Sequence, residues 1–92
     1  VMQEVRQLYC LYKFYIRENK KIVYLPIGGT KQKRWRMLKE AERYLDYARI
    51  DQENGILDAD GYKMEVQIVN AIRTTILQYY QERPGAQKEE EN

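Results

Sequence analysis

The chain has 92 residues, 43% of them hydrophobic and 33% charged, which suits one soluble domain with a single modest core and excludes wholesale disorder. No apolar run approaches the ~18 residues of a spanning helix, and charges interrupt every candidate signal-peptide core, so a cytoplasmic protein without a membrane partner is expected. The net charge of +2 conceals a division, because residues 1–39 hold ten Lys/Arg against two acids and residues 40–92 hold six against twelve.

In chain order, residues 2–18 read as a helix. Val5, Leu8, Tyr12, Tyr15 and Ile16 recur at three- and four-residue steps, the spacing of one helical face. Cys10, Leu11 and Phe14 widen that face. Cys10 is the one cysteine, so it forms no internal disulfide and reads as a small core residue. Residues 22–29 break the helical pattern. Ile22-Val23-Tyr24-Leu25 is β-prone, but Pro26 stops it and no second β-prone run follows, which leaves an extended connector packed on the core.

Thr30 is a good N-cap for a second helix over 31–52, with an apolar face of Met37, Leu38, Ala41, Tyr44, Leu45 and Ala48. Arg36–Glu40, Arg49–Glu53 and Arg43–Asp46 are spaced as ion pairs on its surface. Asn54-Gly55 ends it. Asp58 or Asp60 then caps a third helix, with Tyr62, Val66, Val69, Ile72, Ile76 and Tyr80 on its main apolar face and Ile68, Leu77 and Tyr79 flanking. Pro84-Gly85 stops it, and residues 86–92 read as a disordered acidic tail.

The expected fold is all-α: a small three-helix domain over residues 1–85. Helices two and three form a helical hairpin, and the extended connector follows helix one. A third helix that is apolar around much of its girth belongs either at the centre of the domain or in a subunit interface, and a homo-oligomer is expected.

The basic half carries the functional signal. Gly28-Gly29-Thr30-Lys31-Gln32-Lys33-Arg34-Trp35-Arg36 leads into a helix whose first turns hold four cations, where the macrodipole favours acids. Such a helix start suits an anion. Gly28, Gly29 and Thr30 would offer backbone N–H groups, and Lys31, Lys33, Arg34 and Arg36 would neutralise phosphate. Lys20 and Lys21 would extend the footprint, with Lys13 and Arg17 behind them. Trp35, between two arginines at the edge of the apolar face, is a candidate stacking platform for a base. The ordinary alternative is a solvated basic face beside a turn. The segment is not a phosphate-binding P-loop, whose glycine-to-lysine spacing is absent, and the connector is too long for a helix-turn-helix.

Catalysis and metal binding find little support. The chain has no histidine, which removes the usual general base and the commonest transition-metal ligand. Asp58-Ala59-Asp60-Gly61 fails as a calcium loop: with Gly61 at position six, positions one and twelve are Ile56 and Gln67, where acids are required. No cofactor and no metal are expected, and the chain is not expected to be an enzyme. The leading expectation is non-catalytic binding of DNA or RNA through the basic region 13–39. The alternative is a protein-interaction or self-assembly module that uses the apolar face of helix three.

Overall fold

The computed structural model describes residues 2–82; the side chains of residues 79–82, the Pro84-Gly85 stop and the tail 86–92 lie outside the described residues, and with them the expected roles of Tyr79 and Tyr80. Three helices make up the fold: α1 (Gln3–Arg17), α2 (Lys31–Glu53) and α3 (Ala59–Glu82). No strand occurs among the described residues, and residues 22–28 run as the extended connector.

The caps follow from local chemistry. At the start of α2, the Thr30 hydroxyl accepts the Lys33 N–H at 3.1 Å. At the start of α3, the Asp58 carboxylate accepts the Gly61 N–H at 2.7 Å, which decides between the two candidate aspartates. Both α1 and α2 end in the same left-handed turn. Gly55, at φ +77°, donates its N–H to the Gln52 carbonyl while Ile56 donates to Asp51. Asn19 does the same for α1 at φ +52°, with Lys20 N–H reaching the Tyr15 carbonyl at 2.8 Å.

α2 and α3 form the hairpin, joined by residues 54–58, and α1 packs chiefly on α3. Tyr9 of α1 reaches Glu65, whereas Tyr12, three residues on, reaches Thr75, so α1 lies across α3 and not along it. The core joins Val5, Leu8 and Tyr12 of α1, Met37 and Ala41 of α2, and Ile68, Val69, Ala71, Ile72 and Ile76 of α3. Ala41 and Ala48 are buried on α2, where a small side chain lets two backbones approach. α3 is the centre of the domain, with one side on α1 and the other on α2. This accounts for its apolar girth: of its described large hydrophobics, only Leu77 is exposed, at 38%.

Two expectations on the helices need correction. Cys10 is exposed, not core. At about 100° per residue it falls nearly opposite the direction shared by Val5, Leu8 and Tyr12, so apolar sequence neighbours do not make it an inward position. On α2 the ion pairs differ from those anticipated. Glu40 pairs with Arg43 at 3.4 Å instead of with Arg36, and Arg49 meets Asp46 at 4.0 Å instead of Glu53.

The connector is tied down by polar contacts at its centre. The Tyr12 hydroxyl donates to the Val23 carbonyl at 3.3 Å and is also hydrogen-bonded to the Thr75 hydroxyl. Gln78 donates to the Leu25 carbonyl. Burial holds the phenols of Tyr12 and Tyr44 above their ordinary range, and does so for Tyr9 with help from the Glu65 carboxylate. The unfolded chain therefore ionises these phenols first. Their contribution to stability is intact below the unfolded value of about 10 and is lost as pH climbs from there toward the raised folded values. Urea midpoints measured across the alkaline range should fall in that window, with the share of the tyrosinate absorbance that belongs to these three phenols appearing together with unfolding.

Gly29 closes the connector at φ +106°, a conformation that disfavours any side chain, and a Cβ there would stand 2.6 Å from Lys33 Cδ. Gly29→Ala is expected to cost about 1–2 kcal/mol in urea unfolding. Gly28→Ala, with nothing within 4 Å of its Cβ, should be close to neutral.

Candidate nucleic-acid interface

The sequence places its cations in one stretch, and the fold distributes them over three environments. Lys20 and Lys21 follow the turn that ends α1 and are exposed, with the Lys20 ammonium 4.8 Å from the centre of the Phe14 ring. Lys33 sits at the opposite end of α1, paired with Glu4 at 3.2 Å. Between them lies most of a helix rising about 1.5 Å per residue, so Lys20 and Lys21 stand roughly 20 Å from the start of α2 and do not join a compact patch there.

The loop before α2 is organised by its own side chains. Arg34 is only 4% exposed, and its guanidinium donates to the Gly29 carbonyl at 2.8 Å. It braces the Gly28-Gly29 turn from inside, which removes it from the expected phosphate-binding set. Sequence reasoning placed Arg34 on the surface because an arginine there resembles its neighbours. A fully charged side chain enters a small domain only where a fixed acceptor such as a carbonyl awaits it. Lys33 also contributes less than expected, since Glu4 offsets its charge. The Glu4 carboxyl is held below its usual range, first by backbone hydrogen bonding at the start of α1 and then by Lys33. The Lys33 N–H is taken by the Thr30 hydroxyl, as an N-cap threonine requires.

What the fold does bring together is a stripe on the solvent face of α2. Trp35 is 58% exposed, and the Lys39 ammonium lies 4.7 Å from the centre of its ring. Arg36, Lys39 and Arg43 follow at three- and four-residue steps, edging a shallow cleft of about 340 Å³ with Met2 and Glu40. Lys31 is exposed at the head of the same helix. Glu40, 6% exposed, holds Arg43 and partly offsets it, leaving Arg36 and Lys39 as the cations beside Trp35. Lys39 and Arg43 were missing from the expected site residues. Their signal was present in the sequence as the helical spacing 35, 36, 39 and 43.

Among the described residues, no helix is long and apolar enough to cross a membrane, and no group of three or more His, Cys, Asp or Glu is placed to hold a metal ion. The fold and surface thus define a class: a small all-α domain that presents a tryptophan between cations on its middle helix. Comparison with models of protein families, with curated proteins and with solved structures found no match to the chain.

Proposed function

We propose that the chain binds nucleic acid, without catalysis, through the solvent face of α2. Arg36 and Lys39, with Lys31 at the helix start, would meet phosphates, and Trp35 would stack on a base. The observation that carries this reading is the exposure of Trp35, at 58%, beside Arg36 and Lys39. Tryptophan is the side chain whose burial gains most, so leaving it in water between cations costs stability that a stacking partner would recover. A base in a duplex is already stacked on both sides, which makes unpaired DNA or RNA the favoured target. The phosphate contacts position the strand and read no sequence.

Trp35 is the only tryptophan, so its fluorescence reports directly on the site. Titration with short single-stranded DNA, single-stranded RNA and duplex DNA at several salt concentrations tests the proposal. Quenching that is stronger for single strands, with log affinity falling linearly in log salt, is the expected result. No quenching and no anisotropy change at low salt would refute it.

A further inference from the structure

A second groove, of about 460 Å³, lies between α1 and the C-terminal half of α2, lined in part by Arg6, Tyr9, Tyr44, Tyr47, Asp51 and Glu65. Tyr44, Tyr47 and Asp51 recur at three- and four-residue steps and share one stripe of α2. At about 100° per residue, Tyr44, Tyr47 and Asp51 centre roughly a quarter turn round α2 from Trp35, Arg36 and Lys39 and further along the helix, and among the described residues the groove shares no lining residue with the basic cleft. The groove is therefore a separate site, and nothing in its argument depends on nucleic-acid binding.

Its chemistry is that of a cation receptor. The Tyr9 and Tyr44 rings meet at 66° with centroids 5.0 Å apart, forming a corner and not a stack. Tyr47, 60% exposed, adds a third ring at the open side. The Tyr9 hydroxyl donates to both oxygens of Glu65, at 2.7 and 2.9 Å, which fixes that carboxylate without neutralising it. Among the described residues, neither Glu65 nor Asp51 has a Lys or Arg nitrogen within 4.0 Å. Two carboxylates against Arg6 leave the lining itself with one net negative charge beside three electron-rich rings, which the neighbouring Lys13 offsets from outside the lining. One of these rings already attracts a cation within the chain, since the Lys13 ammonium lies 5.8 Å from the centre of Tyr9. An inorganic ion would find too few oxygen ligands, because no group of three or more His, Cys, Asp or Glu converges among the described residues. An organic cation needs no such cage: ring faces attract its charge and its alkyl groups cover them. The volume suits a small ligand or the head of a side chain.

We propose that this tyrosine corner binds an alkylammonium group, presented either by a free small molecule or by a methylated lysine side chain. NMR titration of the full chain, with no polyanion present, tests it with four probes: choline, its uncharged isostere 3,3-dimethylbutan-1-ol, a trimethyl-lysine peptide and the same peptide unmethylated. The Tyr9, Tyr44 and Tyr47 ring resonances should shift saturably with choline, with the isostere binding about tenfold more weakly or worse. Tyr47→Ala and Asp51→Asn should each weaken choline binding about five- to tenfold with unchanged melting. Tighter binding of choline than of the methylated peptide identifies a free ligand; the reverse order, with the unmethylated peptide weak, identifies a side chain. Equal response to choline and its isostere, or no saturable shift with choline or the methylated peptide, overturns the proposal.

Discussion

Replacing Trp35 with Ala and Arg36 and Lys39 with Gln is expected to lower single-strand affinity about a hundredfold or more at low salt, since losing one stacked base costs ~1–3 kcal/mol by itself. The two lost cations should also reduce the slope of log affinity against log salt by about 1.4 on a single strand. None of the three side chains is buried, so the fold should survive. Among the described residues the polar contact removed is the Lys39–Trp35 pair, worth about 0.5–1 kcal/mol at an exposed site, which corresponds to a few degrees in melting temperature. Lys20→Gln with Lys21→Gln is the matched control, as it removes two cations from the far end of α1. If that pair weakens binding as much as the triple variant does, the interface is not the face of α2. An unchanged affinity in the triple variant would have the same meaning.

Ile72→Ala should be among the most damaging single changes to stability, at about 2–5 kcal/mol in urea unfolding. Ile72 is completely buried at the centre of α3, between the other two helices, and a small domain has only about 5–15 kcal/mol in total. Leu77→Ala gives the comparison. Leu77 is 38% exposed on the same helix and should cost under about 1.5 kcal/mol in a monomer. If Leu77→Ala costs as much as Ile72→Ala, and the cost grows with protein concentration, then a second copy covers the exposed edge of α3. Sedimentation of the wild-type chain at the same concentrations would then show the dimer.

Helix count, the hairpin and most of the inward residues were legible because they depend on local periodicity and capping. Thr30 and Gly55 mark helix ends by properties of single residues. Asn19 does the same job as Gly55, yet an asparagine inside Glu18-Asn19-Lys20 carries no comparable signal. Cys10 misled because its neighbours are apolar in sequence while its direction on the helix is outward. The site was legible in part. The basic start of α2 was visible, but its division was not. Whether a given cation faces solvent, meets Glu4 or folds back on Gly29 depends on where α1 lies, and α1 is placed by contacts far away in sequence. The distance between Lys20 and Lys33 has the same origin. A run of like charges predicts a field, and only the fold decides which charges share a surface.

The two tyrosine contacts that hold α1 in place span 56 and 63 residues. α2 and α3, by contrast, meet across residues 54–58, a closure that costs little chain entropy. The domain therefore joins a low-contact-order hairpin to a helix that must return across most of the chain. Folding is expected to proceed from the hairpin, with docking of α1 as the slow, entropy-limited event. The same ordering applies in reverse within the native state. Amides of α1 should exchange with solvent through a sub-global opening that leaves Ile68–Ile76 protected, which gives the basic face of α2 and the tyrosine groove different lifetimes. Trp35, Arg36 and Lys39 all stand on α2, within the hairpin, whereas the groove, which needs Tyr9, exists only while α1 is docked.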